Sequence, residues 1–213
     1  MKVKFANMLR VFVVCLLLWC RFKTGQALYI NYFAYGSNLN PDVLRRRTST
    51  RKEQPFPFPI RCILSPYKLV FNVGNIVGSY YASVEPCYDS NASVNVVHGL
   101  LYSLTTERFE RLISSEQGYF LEKVFVRYYD PVNNDMNSYL KYDNVSMDVN
   151  NAELDQSVGC MAITFRSGNS IVDTGQPSPR YLRLIQNGAK DQMLDKVYLE
   201  HLNGLECYKR SGR

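Results

Sequence analysis

The stretch Tyr32-Phe-Ala-Tyr-Gly-Ser-Asn-Leu39 decides the fold of this 213-residue chain, because it contains the end of a strand, a turn and the approach to a helix. The run from Leu28 to Tyr35 is rich in aromatic and β-branched residues, which is typical of a buried strand. Gly36-Ser37-Asn38 interrupts that run. Asn40-Pro41-Asp42 then has the composition of a helix start, with a capping Asn, a Pro at the first helical position and an acid in the first turn. The sequence therefore predicts a strand–turn–helix unit near the start of the domain.

The turn at Gly36 is a candidate anion-binding site. A glycine-containing turn exposes successive backbone N–H groups, and the helix that follows adds the positive end of its dipole. Such an arrangement binds a carboxylate or an oxyanion. An ordinary tight turn has the same local sequence and is the alternative interpretation.

The rest of the chain alternates strand-like runs with a few helices. Residues 130–158 are polar and rich in Asn and Asp, which indicates a surface insertion around a hairpin. Strands with few and late helices predict an α+β fold rather than a repeated βαβ unit. The expected strands are 67–73, 80–84, 98–104, 120–129 and 160–165, and the expected helices are 107–115, one starting at Ser178, and 191–202.

Glu116 is the candidate catalytic acid. It follows Leu112 and Ile113 at helical spacing, so a continuing helix places its carboxylate at the end of the core-facing side. A carboxylate in such a place can act as a general base. In the alternative interpretation, Gly118 ends the helix early and Glu116 lies in solvent.

Other familiar kinds of site are not indicated. His98 falls in a strand and His201 in a terminal helix, and both are interpreted as structural, so nucleophile systems that require a histidine are not expected. The cysteines have no CxxC or CxxH spacing and only two histidines are present, so no zinc or other metal site is predicted. No cofactor is expected either. The basic run Arg45-Arg46-Arg47 is interpreted as a solvated helix face, because no aromatic residues interleave with it.

Four motifs together resemble the gamma-glutamyl cyclotransferase family. The Tyr32–Leu39 stretch is similar to the signature loop of that family, and Leu112-Ile-Ser-Ser-Glu116 is similar to the segment with its catalytic Glu. Cys160–Phe165 matches a late strand, and Pro177-Ser-Pro-Arg-Tyr181 matches a helix start. The resemblance extends over about residues 30 to 203 and is interrupted at 130–158.

This resemblance implies a fold, a reaction and a set of site residues. The implied fold is an α+β domain with a small mixed, mainly antiparallel β-barrel or roll flanked by helices. The implied reaction is the release of 5-oxoproline from γ-glutamyl compounds, in which the α-amine of the substrate attacks its own γ-carbonyl. Glu116 would be the general acid/base. The implied substrate-binding residues are Tyr32, Phe33, Ala34, Tyr35, Gly36, Ser37 and Tyr181.

The chain departs from the family pattern at four positions. Ile113 replaces an Asp and Gln117 replaces a Gly, on either side of Glu116. Phe120 and Phe165 stand where the family often has pocket tyrosines, so each is expected to remove a hydroxyl group. These departures bear on substrate preference and, to a smaller degree, on activity.

The charge distribution points to an export signal. The net charge is +6, but residues 1–27 hold five of the 25 basic residues and none of the 19 acidic ones, which leaves +1 for the remainder. A basic start and an apolar run from Val11 to Cys20, too short to span a membrane, are typical of a signal peptide. The small residues Gly25 and Ala27 suit cleavage before Leu28, and an uncleaved anchor is the alternative. We therefore expect a signal peptide at 1–27, a domain at 28–213 with the insertion at 130–158, and secretion.

An extracellular domain of this composition predicts two modifications. Asn91 and Asn144 lie in glycosylation sequons. The four cysteines that follow the signal, an even number, are disulfide candidates whose pairing stays open: Cys62, Cys87, Cys160 and Cys207.

Three functions remain open on the sequence alone. The first is a secreted gamma-glutamyl cyclotransferase that acts on γ-glutamyl amino acids. The second is a cyclotransferase for γ-glutamylamines such as isopeptide remnants, and the third is an inactive secreted binding protein on the same scaffold. A small-molecule substrate is expected, with no nucleic acid and no membrane partner after cleavage, in a monomer or homodimer.

Overall fold

A computed structural model of the chain describes residues 28–49, 58–75, 78–88, 95–129, 159–168 and 174–208. The proposed signal segment, the 130–158 insertion and both sequon residues, Asn91 and Asn144, lie outside the described residues. Within the described part of the chain, no helix is long and apolar enough to cross a membrane.

The described residues form seven strands and four α-helices. In chain order the elements are β1 (Tyr29–Ala34), a 3-10 turn (Ser37–Leu39), α1 (Pro41–Thr48), β2 (Ile60–Leu64), β3 (Tyr67–Gly74), β4 (Tyr80–Pro86), β5 (Val97–Thr105), α2 (Thr106–Ser115), β6 (Tyr119–Tyr128), β7 (Gly159–Ser167), α3 (Pro179–Asp191) and α4 (Lys196–Asn203).

Five strands close a small barrel in the order β1-β5-β2-β6-β7. The β1–β7 pair, joined at Tyr32 and Ile163, is parallel, and the other four pairs are antiparallel. The remaining strands, β3 and β4, form a separate hairpin whose β4 strand contacts β7. The predicted α+β class with a mixed, mainly antiparallel barrel is confirmed.

The strand–turn–helix unit forms as its composition predicts. The strand β1 is buried on both faces, since Phe33 and Ala34 point to opposite sides and both have no exposed surface. Asn40 caps α1, because its side chain accepts hydrogen bonds from the N–H groups of Asp42 (2.9 Å) and Val43 (3.3 Å).

Two elements differ from the sequence prediction. The strand β2 was not anticipated, although it lies in the barrel between β5 and β6. The last helix begins at Lys196 rather than at Asp191, because Met193 has a positive φ of 51° and breaks the helical path. Asp195 then caps the new helix by accepting from the N–H of Tyr198 at 3.0 Å.

The predicted disulfides are absent, and all four candidates are free thiols: Cys62, Cys87, Cys160 and Cys207. The topology explains why one of the possible disulfide pairs, Cys62 with Cys160, does not form. Cys62 lies opposite Tyr128 of β6, and Cys160 lies opposite Val126 on the other side of the same strand. Two strand spacings of ~4.8 Å separate the cysteines, whereas a disulfide requires Cα atoms within about 7 Å.

The β6–β7 hairpin runs along one side of the barrel. Its register pairs Tyr119 with Ser167 at one end and Arg127 with Gly159 at the other. The chain between the two strands therefore leaves the barrel at the Arg127–Gly159 end.

Helix α3 packs directly on the backbone of the 3-10 turn. A Cβ added at Gly188 would lie 2.7 Å from the backbone N of Asn40 and 2.8 Å from the carbonyl carbon of Leu39. Leu39 has no exposed surface. The glycine is therefore needed for this close approach, and the contact fixes the turn against the helix.

We predict that Gly188→Ala destabilises the protein. At an open helical site this substitution stabilises by about 1 kcal/mol, whereas the overlap with the turn should lower the free energy of unfolding by about 2 kcal/mol. Urea denaturation measures the difference. Asn187→Ala, at the exposed neighbouring position, is the matched control and should change stability by less than about 0.5 kcal/mol. Equal stability of the Gly188→Ala and native proteins would contradict the packing described here.

Candidate active site

A cleft of about 540 Å³ opens where the turn after β1, the end of α2, the β3–β4 hairpin and the start of α3 meet. Its aromatic lining is Tyr32, Tyr35, Tyr81, Tyr119, Phe165 and Tyr181. Its charged lining, among the described residues, is Arg47, Arg180 and Glu116. A volume of this size accommodates a small molecule.

Glu116 reaches the cleft by a route that helical spacing does not predict. The helix α2 ends at Ser115, and Glu116 is its C-cap, with its N–H bonded to the Ile113 carbonyl at 3.3 Å. Gly118, with a φ of +84°, then turns the chain into β6. The helix does end early, but the Glu116 side chain is 13% exposed and lies in the cleft rather than in solvent.

The carboxylate of Glu116 is held by Arg47 and Asn38. Arg47 Nη1 donates to Glu116 Oε1 and to Asn38 Oδ1, the latter at 2.9 Å. Asn38 Nδ2 donates to the same Oε1 at 3.0 Å and to the hydroxyl of Tyr32 at 2.9 Å. The guanidinium thus compensates the carboxylate charge, and the amide of Asn38 fixes the position of both groups.

The interpretation of the basic run as a solvated face is wrong for one of its three residues. Arg45 is exposed and pairs with Asp42 at 2.5 Å, and Arg46 is exposed as well. Arg47 instead turns into the cleft, because it lies one helical turn after the buried residues Val43 and Leu44. That spacing was a signal in the sequence for an inward-facing cation.

The four buried tyrosines of the cleft with raised pKa values are neutral phenols. Burial is the main cause that raises the pKa of Tyr32, Tyr35 and Tyr119 far above the ordinary value. Burial also raises the pKa of Tyr181 to about 12, although the Ala82 N–H opposes the shift. These groups can therefore donate or accept hydrogen bonds, but they do not serve as bases near neutral pH.

Two backbone N–H groups point into the cleft at one place. The Ala82 N–H donates to the hydroxyl of Tyr181 at 3.2 Å, and the backbone of Ser37 lies near the same hydroxyl and helps to lower its pKa. A Cβ at Gly36 would lie 3.2 Å from the same hydroxyl, so the glycine allows the close approach of Tyr181 to the turn. These contacts orient the hydroxyl of Tyr181 and leave its own proton available to donate into the cleft. Ala82 was not anticipated from the sequence.

The structure brings most of the predicted site residues together. Glu116, Tyr32, Tyr35, Gly36, Ser37 and Tyr181 all line the cleft. Phe33 and Ala34 do not line it, because they pair with Leu101 and Leu100 in the barrel and are fully buried. Their contribution is to the sheet that supports the turn.

The two predicted phenylalanine substitutions have different outcomes. Phe165 does line the cleft, with its ring edge-on to Tyr32 at a centroid distance of 5.6 Å. Phe120 lies outside it, beneath the guanidinium of Arg166 at 5.7 Å. Strand alternation places its neighbour Tyr119 in the cleft instead, and the Tyr119 hydroxyl donates to the Ala82 carbonyl at 2.7 Å.

The hairpin wall of the cleft is attached to the barrel by an ionic network. Arg166 of β7 donates to the buried Glu85 of β4 at 2.7 Å and to Glu122 of β6 at 3.2 Å. The N–H of Ser167 donates to the hydroxyl of Ser83 at 2.9 Å. These contacts hold the hairpin that carries Ala82 next to the strand that carries Phe165.

Neither histidine belongs to the cleft. His98 stacks on Tyr198 with ring centroids 4.6 Å apart, and burial lowers its pKa to about 4, so it is neutral near pH 7. His201 lies on α4. In the described ranges, no group of three or more His, Cys, Asp or Glu side chains is placed to hold a metal ion.

The chain is similar to known proteins in both fold and sequence. The chain matches a solved gamma-glutamyl cyclotransferase with a TM-score of 0.63 and 19% identity, over 87% of this chain and 93% of that one. It matches an uncharacterized human protein with a TM-score of 0.61 and 21% identity, over 87% and 92% of the two chains. This chain has a gamma-glutamyl cyclotransferase-like fold.

Sequence similarity agrees with this fold. The chain is 27% identical to gamma-glutamyl cyclotransferase gliK of Aspergillus fumigatus, over 84% of its own length and 63% of that of gliK. The chain thus spans less than two thirds of this curated relative. No family model matches the chain. The predicted resemblance to the gamma-glutamyl cyclotransferase family is confirmed.

We predict that Arg47 and Glu116 are energetically coupled. In a double-mutant cycle with Arg47→Met and Glu116→Gln, the coupling free energy of unfolding should be about 1 kcal/mol, because a charged hydrogen bond is lost while one partner stays partly exposed. Urea denaturation of the four proteins measures it. Arg46→Met replaces the exposed neighbour and should couple to Glu116→Gln by less than about 0.3 kcal/mol. Equal coupling in both cycles would contradict the network.

Proposed function

We propose that this protein is a gamma-glutamyl cyclotransferase that releases 5-oxoproline from γ-glutamyl amino acids. The observation that carries the proposal is the position of Glu116. Among the described residues that line the cleft, Glu116 is the one with an acidic side chain. It lies beside a turn whose backbone N–H groups point inward. The fold and the similarity to gliK, itself named a gamma-glutamyl cyclotransferase, support the same activity.

The reaction needs a base, a donor to the oxyanion and a cavity that holds the substrate in a folded conformation. The cleft provides groups for each of these. Glu116 takes a proton from the α-ammonium group of the substrate, and the resulting amine attacks the γ-carbonyl carbon. The hydroxyl of Tyr181, which accepts a hydrogen bond from the Ala82 N–H, is placed to donate its own proton to the oxygen of the tetrahedral intermediate. When the γ-amide C–N bond breaks, Glu116 returns the proton to the leaving nitrogen.

No protein nucleophile is required in this scheme. The attacking group belongs to the substrate, and the lining of the cleft, as far as the structure describes it, contains neither histidine nor cysteine. The catalytic gain comes from orientation, since holding an amine and a carbonyl in reacting geometry can offset about 7–11 kcal/mol of a barrier. The neutral tyrosines shape the cleft around such a folded substrate.

The departures from the family pattern leave this machinery in place. Ile113 is buried in the core and does not line the cleft, whereas Gln117 lies at its edge. Phe165 removes a hydroxyl from the wall, but the tyrosines beside it retain theirs. We infer that these differences act on substrate preference.

We predict that the purified protein converts γ-glutamyl-alanine to 5-oxoproline and alanine, and that Glu116→Gln lowers kcat/KM by about 10²–10⁴-fold. The amide has the shape of the carboxylate but does not accept the proton. 5-Oxoproline is measured by chromatography, and circular dichroism verifies that the variant is folded. Glu200→Gln, at an exposed position of α4 outside the cleft, is the matched control and should retain full activity.

The same assay separates the other candidate functions. Turnover of γ-glutamyl-ε-lysine in preference to γ-glutamyl-alanine would indicate a γ-glutamylamine cyclotransferase. Binding of either compound without turnover would indicate the inactive binding protein. Absence of turnover, or undiminished activity of Glu116→Gln, would refute the catalytic proposal.

We further propose that the protein is secreted after removal of residues 1–27. The basic start, the short apolar run and the small residues before Leu28 support this proposal. The four free thiols give it no support. If secretion holds, the sequons at Asn91 and Asn144 would be available for glycosylation.

We predict that the protein recovered from the medium of eukaryotic cells expressing the full chain begins at Leu28 or an adjacent residue. N-terminal sequencing or intact-mass measurement after deglycosylation determines the start. A Gly25→Leu, Ala27→Leu double variant should block cleavage, because bulky residues do not fit the positions that the peptidase reads. Recovery of a chain that begins at Met1, in the membrane or the cytosol, would refute the proposal.

A further inference from the structure

Arg180 is a second cation in the cleft, and its position differs from that of Arg47. Arg47 is engaged with Glu116 and Asn38 at the inner part of the site. Arg180 is exposed in the first turn of α3 and lines the cleft directly before Tyr181. Within the part of the chain that the structure describes, no hydrogen bond or ion pair engages its guanidinium.

The placement of Arg180 opposes the ordinary preferences of a helix. Acids are favoured and cations disfavoured in the first turn, because the helix dipole is positive there. The first turns of α1 and α2 contain the acids Asp42 and Glu107, whereas the first turns of α3 and α4 contain none. A residue that breaks a local rule without a structural partner is expected at a functional site.

The charges of the cleft indicate what Arg180 would bind. The described lining has two guanidinium groups and one carboxylate, and Arg47 and Glu116 compensate each other. The excess positive charge is therefore at Arg180, where the helix dipole adds to it. A second carboxylate on the substrate would complement this part of the cleft.

The geometry assigns a direction to the substrate. The reacting γ-amide must lie near Glu116 and the inward N–H groups, so the glutamyl half occupies the inner part of the cleft. The leaving half then extends towards the exposed rim, where Arg180 lies and where Tyr81, 41% exposed, packs edge-on against Tyr181 at 5.0 Å.

We propose that Arg180 binds the carboxylate of the leaving amino acid and so selects γ-glutamyl amino acids over γ-glutamylamines whose leaving half has no carboxylate, an inference that rests on the proposed cyclotransferase activity. A γ-glutamyl amino acid has a carboxylate on its leaving half, whereas a simple γ-glutamylamine has none. Arg180 is a specificity-determining residue in this proposal, since its contact is equally present in the ground state and the transition state. Its loss should therefore raise KM and leave kcat nearly unchanged.

The test compares two substrates that differ by one group. γ-Glutamyl-alanine and γ-glutamyl-ethylamine share the γ-glutamyl half and the alkyl chain, but only the first has a carboxylate on its leaving half. For Arg180→Gln we expect kcat/KM for γ-glutamyl-alanine to fall about tenfold through KM, while that for γ-glutamyl-ethylamine changes less than twofold. Arg180→Glu should invert the preference. Arg183→Gln, at an exposed position of α3 outside the cleft, is the matched control.

The outcomes separate this inference from the proposed function. An equal loss on both substrates would place Arg180 at the glutamyl half or in a structural role and would overturn the inference, and so would no loss on either. Turnover of neither substrate by the native protein would refute the proposed function. Binding of both compounds to Glu116→Gln, with and without Arg180→Gln, measured by calorimetry, tests the carboxylate contact without any turnover. Equal affinities of the two compounds there would also overturn the inference.

Discussion

The network of Arg47, Asn38 and Glu116 joins three parts of the chain: a helix, the turn before it and the cap of a later helix. Without the guanidinium, the carboxylate of Glu116 would lie nearly enclosed among aromatic rings with its charge uncompensated, which is costly. The barrel brings the three parts within hydrogen-bonding distance, and Gly188 lets α3 press on the turn from behind. The position of the candidate base thus depends on packing far from the cleft as much as on its own hydrogen bonds.

Much of the fold follows from local patterns in the sequence. The aromatic run of β1, the Asn40 cap and the Ser178–Pro179 helix start each specify their element by short-range chemistry, and the structure has all three. The start of the last helix was misplaced, because α3 ends in a local capping turn at Met193, whose φ is positive, and no glycine at that position signals the turn. For one pair the disulfide expectation failed for a topological reason, since β6 lies between Cys62 and Cys160 and the order of strands cannot be derived from the spacing of cysteines.

The residues of the candidate site that belong to sequence motifs could be predicted. Those whose presence in the cleft depends on the direction of a side chain were harder to predict. Glu116 and the Gly36 turn came from the family resemblance, and the cleft contains both. The inward direction of Arg47 could have been derived from its helical spacing, but a run of three arginines suggested a uniform surface. Tyr119 lines the cleft in place of Phe120 because of the face that β6 turns towards it. A shift of one residue along the strand reverses which side chains lie on that face. Ala82 could not have been predicted, because it contributes a backbone group from a separate hairpin.

The β6–β7 hairpin has the candidate site at one end and the junction with the 130–158 insertion at the other, as its register shows. Tyr119 and Phe165 lie at the cleft end of the hairpin, whereas residues 130–158 are joined to it beyond Arg127 and Gly159, roughly 25 Å along the strands from Tyr119. Length changes at this point enter the chain at the end of the hairpin opposite the reacting groups, where the family pattern can vary without altering the strands that hold them. For the same reason the junction is a suitable attachment point for a fluorophore, an affinity handle or a fused domain.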